Sequence, residues 1–404
     1  MAENHQAGSS GSSTRKILYV INHAAFFVSH RLPLALGALE RGHEVVLATG
    51  KAGSESMEAD AVTALEAHQI RHVRVGFTAA GMNPFVELRG VFELIQLMRR
   101  ERPDVVHCAS PKGILYGAIA ARITRRPALV IAVSGMGFAF TSEPGRSLIR
   151  SWAGNIYRLF ARFAYGHRNK KVIVQNSEDH QQILDSGLAS ETEVVLIPGS
   201  GVDVSRLSRF APEQKTETVL FAARLVREKG VLDFAEAARI VRSFKPNWRF
   251  VIAGAADYQN PSSIPAEVLE QFQAQGVIEW RGLVKDMDPL LASASIVCLP
   301  SYYREGIPKF LLEGAASGCA VVTTDLPGCR EAIINGVTGD LVPPRDPQAL
   351  ARCLTSLIAD RARRERYGAE GRRFAAERFD IRAVVAQTND IYEKLISAAG
   401  SGTG

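Results

Sequence analysis

The sequence has no G-x-G-x-x-G after its first apolar run and no G-x-x-x-x-G-K-[ST] anywhere. Dinucleotide binding of the common kind and P-loop chemistry therefore lack sequence support. No H-E-x-x-H is present, and the five cysteines (Cys108, Cys298, Cys319, Cys329, Cys353) show neither C-x-x-C nor Cys/His metal spacing. Cys108 and Cys298 sit in apolar, strand-like runs and read as buried thiols, and a reducing, cytoplasmic setting fits. No uncharged apolar run is long enough to span a bilayer. The opening MAENHQAGSSGSS lacks the apolar core of a signal peptide, so residues 1–14 read as a disordered leader. Asp286-Met287-Asp288 invites a metal reading, but an Asp at a helix start before Pro289 accounts for it through the helix dipole. No metal and no other cofactor is expected.

What is present is an ordinary globular composition, 46% apolar and 22% charged. Lys and Arg exceed Asp and Glu by six, which favours anionic partners such as phosphates, nucleic acid or an anionic membrane face. No nucleic-acid-binding module is visible, so nucleic acid is not expected as a partner. A chain of 404 residues exceeds what one hydrophobic core usually serves, which implies two domains.

From Lys16 short β-rich runs alternate with helical ones. KILYVIN, HEVVLAT, DVVHCAS, ALVIAVS and KKVIVQNS read as strands. SHRLPLALGALERG, NPFVELRGVFELIQLMRRERP and GILYGAIAARIT read as helices. The same grammar restarts at TVLFAAR and continues through WRFVIAG, VIEWRG, SIVCLPS, CAVVTT and TGDLVPP, and from Pro347 the chain is mostly helical. The fold class is α/β, with two doubly wound, Rossmann-like domains facing a central cleft. We expect an N-terminal domain over 15–198 and a C-terminal domain over 199–380, joined at IPGSGVD. A C-terminal helix over 381–398 is expected to return to the first domain.

Two features point to the chemistry. FAARLVREKG puts Arg224 just after a strand and Lys229 before a helix, at the carboxyl end of the sheet where ligands bind. Two cations there suit a diphosphate, although the same charges would also suit a solvated loop. EGIPKFLLEG sets Glu305 before a helix and Glu313 inside it among apolar neighbours, where an unpaired carboxylate is costly. Pro308 reads as the first helical residue, with Ile307 at an N-cap that offers no capping side chain and leaves amides for an anion.

R-x4-K with E-x7-E, followed by TTDLPGCREAIINGVTGDLV, resembles the retaining nucleotide-sugar glycosyltransferases of family 4, which have the GT-B fold. That resemblance implies a transferase that retains anomeric configuration without a divalent cation. It implies that Glu305 lies beside the donor sugar and that Glu313 holds the ribose. Arg224 and Lys229 would bind the diphosphate, with Gly306, Ile307, Lys309 and Phe310 along the donor, and Leu283 and Val284 would meet the base. The N-terminal half, including FFVSHRLPLALGALERGHEVVLAT and SGMGFAF, is similar to enzymes that extend polyprenyl-diphosphate-linked glycans, N-acetylgalactosaminyltransferases among them. The implied partners are a nucleotide-sugar, with a UDP-sugar or UDP-N-acetylhexosamine favoured, and a lipid-linked saccharide. One departure is visible: many members carry a histidine where this chain reads Ser134-Gly135-Met136-Gly137.

On the acceptor side the candidates are His23, Phe26, His107, Lys112, Ser134 and Gly135. Phe26 is read as a lipid or acceptor contact, His107 as orienting the acceptor and Lys112 as touching its diphosphate. GRSLIRSWAGNIYRLFARFAYGHRNKK interleaves basic and aromatic residues as an anionic membrane surface would require, although an ordinary packed helix also fits. The expected location is the cytoplasmic face of the inner membrane. A nucleotide-sugar 2-epimerase-like enzyme, or a non-catalytic nucleotide-sugar-binding protein, would share the same cleft.

Overall fold

The computed structural model describes residues 14–51, 55–78, 83–135, 159–210, 214–256 and 260–401. The leader through residue 13, Met136, Gly137 and the basic stretch as far as residue 158 lie outside the described residues.

In the first half the strands are β1 (Lys16–Ile21), β2 (Glu44–Lys51), β3 (Arg71–Thr78), β4 (Val105–Ala109), β5 (Ala128–Ala132), β6 (Lys170–Val174) and β7 (Val194–Leu196). They lie in the order β3-β2-β1-β4-β5-β6-β7. β1 pairs in parallel with β2, Ile17 opposite Val45, and with β4, Ile17 opposite Val105. Ile17 to Ile21 are all buried, which is why KILYVI is a continuous apolar run and not an alternating one: helices cover both faces of such a sheet.

The second half holds β8 (Thr216–Ala222), β9 (Arg249–Ala253), β10 (Glu279–Trp280), β11 (Ala294–Leu299), β12 (Ala320–Thr324) and β13 (Gly339–Val342), in the order β10-β9-β8-β11-β12-β13. Both sheets are therefore doubly wound, as the strand-helix alternation predicts. Strand order reverses beside β1 in the first sheet and beside β8 in the second. At such switch points the carboxyl ends of adjacent strands open a crevice.

The chain divides into two compact units: residues 1–131 with 166–170 and 389–404, and residues 132–165 with 171–388. In the first unit the end of the last helix, Ile381–Ser401, supplies core. Tyr392 is fully buried, and its hydroxyl lies 2.9 Å from that of Tyr19 and 2.7 Å from His107 Nδ1. In the second unit the core gathers Leu220, Phe221, Phe234, Ile252, Val297, Leu311 and Leu312 around the six-stranded sheet.

Two local expectations change. The run read as one helix from Ser29 is two, Ala24–His30 and Leu32–Glu40, broken at Arg31. Pro33 lies in the first turn of the second helix, where its missing N–H is harmless, and it could not continue the first. β3 and the helix Glu55–Ala67 were not foreseen. β3 is an edge strand with Arg71 and Arg74 in it, so it lacks the apolar continuity that marks its neighbours.

Candidate active site

In the second unit, β8 and β11 are the neighbours at the order reversal, and each hands on to a short loop at its carboxyl end. After β8 the chain passes Arg224, which is exposed, to a 3-10 turn, Arg227–Lys229. After β11 it runs Ser301 to Pro308 and then enters the helix Lys309–Ala316. The Tyr302 amide donates to Glu228 O at 2.9 Å, which ties the loops together. Lys229 Nζ pairs with Glu305 Oε2, and Ser301 Oγ donates to Glu305 Oε1 at 2.7 Å. The Lys229 and Glu305 side chains keep 17% and 15% of their exposure, so screening by salt is limited. The two residues that the sequence sets 76 positions apart thus form one ion pair.

The backbone under Glu305 is held from three directions. Gly306 N donates to Ser134 O at 3.1 Å, and Asn176 Nδ2 donates to Glu305 O at 3.4 Å. Arg304 pairs with Glu178 on the helix that Asn176 caps. A Cβ at Gly135, whose φ is +112°, would stand 2.5 Å from Gly306 N, and one at Gly328, whose φ is +80°, would stand 2.2 Å from Gly306 O. A glycine loop here permits close backbone approach that no side chain allows. Ser134 and Gly135, read as acceptor-side residues, therefore lie against the peptide that carries Glu305. Ser301, Asn176 and Gly328 were missed. Their only sequence signal is position after a strand, which a solvated turn shares.

Glu313 occupies the second turn of the helix at Lys309, and one residue of its expected setting is corrected. Pro308 is the N-cap and not the first helical residue: its ψ is 120°, and its carbonyl accepts from Leu311 N at 3.1 Å. No side chain caps the helix, as expected. Ile307 and Phe310 are buried and anchor the helix start in the core. Glu313 Oε1 lies 3.6 Å from Lys309 Nζ, its i−4 neighbour. Burial pushes the Glu313 carboxyl above the ordinary range, while Lys309 and Arg206 pull it back. Arg206 also pairs with Asp288, the first residue of the helix Asp288–Ser293. The tempting Asp286/Asp288 pair is accordingly a helix start with an arginine partner. Leu283 is exposed and Val284 half-buried, on the turn fixed by Gly254 N donating to Gly282 O at 2.7 Å.

In the first unit the predicted residues separate. His107 is fully buried on β4, and burial beside Arg31 holds its imidazole well below the usual range. With Nδ1 on the Tyr392 hydroxyl it sits in the core as a neutral histidine. Lys112 Nζ is engaged by Glu87 Oε1 at 2.8 Å and by Thr78 O at 2.7 Å. His23 Nδ1 accepts from Phe26 N at 3.2 Å and so caps the helix Ala24–His30. Phe26 is half-buried and stacks on His30 at 4.5 Å, while Phe27 is core. Unforeseen at this switch point is Ser110, with φ of 65°, whose Oγ accepts from Asn22 N at 2.8 Å and links the ends of β1 and β4.

Residues 216–360 match the family described as glycosyl transferases group 1, and residues 16–176 match that described as glycosyl transferase 4-like. The chain is 28% identical over 298 residues, 70% of its length and 75% of the relative's, to a Campylobacter jejuni enzyme, N,N'-diacetylbacillosaminyl-diphospho-undecaprenol alpha-1,3-N-acetylgalactosaminyltransferase. It is 24% identical over 299 residues, 68% of its length and 71% of the relative's, to the Escherichia coli UDP-Gal:alpha-D-GlcNAc-diphosphoundecaprenol alpha-1,3-galactosyltransferase. Its fold is similar to the crystal structure of Anabaena HepE in complex with UDP-glucose, with TM-score 0.71, 21% identity, and coverage of 95% of this chain and 100% of that one.

Proposed function

From a chain that belongs, through its two halves, to the group 1 and family 4-like glycosyltransferases, we propose a retaining hexosyltransferase acting on a lipid-linked glycan. The donor is a nucleotide-sugar, a UDP-sugar being favoured and a UDP-N-acetylhexosamine among the candidates. The acceptor is a polyprenyl-diphosphate-linked saccharide in bacterial surface-glycan or glycoprotein-glycan assembly. The observation that carries this reading is the meeting of Lys229, Ser301 and Glu305 at the switch point of the second sheet, beside the uncapped helix with Glu313. The two relatives named above act on undecaprenyl-diphosphate-linked sugars by their names, which supports the acceptor.

In this reading Lys229 leaves its pair with Glu305 for the leaving diphosphate, and Arg224 joins it there. Developing negative charge is stabilised by fixed cations in a poorly hydrated site, which is commonly the largest catalytic contribution. Glu305, released from Lys229 and kept in place by Ser301, faces the donor sugar. Glu313 accepts hydrogen bonds from the ribose diol. Glu313 is committed to the ribose from the helix while Glu305 lies on the loop before it, so the carboxylates are not a glycosidase pair flanking one bond. Same-face attack passes the acceptor proton to the departing phosphate oxygen. Arg224 and Lys229 supply the positive charge, so turnover should persist in EDTA.

The test is a thermal-shift panel with UDP, GDP, ADP and their sugars, followed by transfer to a polyprenyl-diphosphate-linked disaccharide. A single nucleotide class should raise the midpoint and support transfer with retained configuration. Release of free sugar with no acceptor dependence would instead favour the epimerase-like reading, and binding without turnover the non-catalytic one.

A membrane partner is supported from the first unit. On the helix Pro84–Glu101, Phe85, Leu88 and Phe92 are 83%, 70% and 54% exposed and share one stripe with Arg89 and Arg99. Apolar anchors beside cations suit an anionic bilayer surface on the cytoplasmic side. Among the described residues no helix is long and apolar enough to cross a membrane. Burying an aromatic or leucine side chain contributes about 1.5 kcal/mol or more. The double variant Phe85→Asp/Leu88→Asp should therefore reduce co-sedimentation with phosphatidylglycerol vesicles by on the order of 100-fold. Unchanged sedimentation would remove this helix from the interface.

A further inference from the structure

The turn that carries Lys229 and the loop that carries Glu305 also wall a second recess. A cavity of about 190 Å³ in the second unit is lined by Arg227, Gly230, Leu232, Asp233, Tyr302 and Arg345. The helices Val231–Arg242 and Pro347–Ala359 both begin beside it, whereas Glu313 stands on the helix Lys309–Ala316.

Three observations mark this recess as unfinished. Arg227 and Arg345 are exposed at its rim, and neither guanidinium has a hydrogen bond or salt bridge among the described residues. Asp233 Oδ2 is buried with no hydrogen-bond partner, an expensive state for a carboxylate oxygen. Arg345 holds a left-handed backbone, φ 58°, where glycine would be favoured. Its guanidinium lies over the Tyr302 ring at 4.4 Å, so the side chain is aimed along the cavity wall. Burial raises the Asp233 carboxyl, with Arg345 opposing and Asp346, which caps the neighbouring helix, adding to the rise.

We infer that this cavity binds a small hydroxylated anion of the sugar-phosphate or polyol-phosphate class. The two arginines and the uncapped start of the helix Val231–Arg242 meet the phosphate, and a ligand hydroxyl donates to Asp233 Oδ2. The volume of about 190 Å³ is below the roughly 300 Å³ of drug-sized sites, which suits a ligand smaller than a nucleotide-sugar. The site is separate from the donor assignment, and its test reads binding, so neither depends on the other.

Thermal midpoints would be measured with glucose 6-phosphate, inorganic phosphate and glucose at matched ionic strength. Glucose 6-phosphate at about 100 times its dissociation constant should raise the midpoint by about 5 °C. Phosphate should raise it less at the same concentration, and glucose should not raise it. Arg345→Gly, which relieves the left-handed strain and so should fold, is expected to abolish both shifts, while Glu313→Gln should retain them. Asp233→Asn should keep the phosphate response and lose the excess given by the sugar. Absence of any shift, or a shift that survives Arg345→Gly, overturns the assignment. Equal shifts with phosphate and glucose 6-phosphate would overturn its hydroxylated half.

Discussion

Lys229→Ala should lower turnover by about 10²–10³-fold, the usual consequence of losing one group that stabilises developing charge. The free protein should survive the change with a lower midpoint. Removing the ammonium leaves Glu305 Oε2 without its partner at 15% exposure, a loss of roughly 1–3 kcal/mol for an unsatisfied polar group. Stability and chemistry can then be separated with a second change. Lys229→Ala/Glu305→Gln removes both charges, so the midpoint should recover toward that of the parent. Turnover should not recover, because the cation for the diphosphate is still missing. Arg224→Ala should lower turnover by a similar factor. Near-normal turnover in Lys229→Ala would remove the residue from the reaction. A double variant as unstable as the single would show that Glu305 is not what destabilises it.

Glu313→Gln should move binding and stability in opposite directions. A charge-assisted hydrogen bond contributes about 1.5–3 kcal/mol, so losing it should weaken the donor by about 10–100-fold. At a donor concentration near 100 times the parent dissociation constant, stabilisation of roughly 2.7 kcal/mol would fall to about 0.4 kcal/mol for a 100-fold loss. The unliganded variant should nevertheless be more stable than the parent at neutral pH. The folded carboxyl titrates above its ordinary value of 4.5, so the native state binds more protons than the unfolded chain between that value and the raised one. Parent stability thus falls as pH rises through this window and stays lower above it. Glutamine has no such dependence. The gap between variant and parent should be absent well below pH 4.5 and fully open above the raised value. Midpoints at a series of pH values, with and without donor, measure both effects. A variant less stable at every pH would mean that Lys309 and Arg206 more than offset the burial.

The same residues show how far a sequence can be read here. The alternation of strands and helices was legible because buried parallel strands must be apolar on both faces, as at Ile17 to Ile21 and Ile296 to Leu299. β3 was not, because an edge strand tolerates Arg71 and Arg74. Glu305 and Glu313 stood out by the expense of a carboxylate in an apolar run, and Arg224 and Lys229 by lying just past a strand. His107 and Lys112 follow the same rule of position, yet His107 is buried in the core and Lys112 is paired with Glu87. Whether a polar residue at a strand end faces ligand or core depends on partners far away in sequence. Tyr392 lies 285 residues from His107, and no local pattern announces that bond. Glu87 is 25 residues from Lys112, on a helix whose rotation about its axis decides the pairing. Ser301 matters through its hydroxyl on the Glu305 carboxylate, and Asn176 and Gly328 through the backbone beside Glu305, which composition does not reveal.

The clasp of Tyr392 on Tyr19 and His107 also sets an order of events during synthesis. The first unit needs residues 389–401 for its core, although its other elements leave the ribosome long before them. At roughly 5–20 residues per second, β1 waits tens of seconds for its partner. The second unit, complete once residue 388 has emerged, has all its pieces before the first does. The part of the chain made earliest is therefore the last to close, and for that interval Tyr19 and His107 remain open to solvent or to a chaperone.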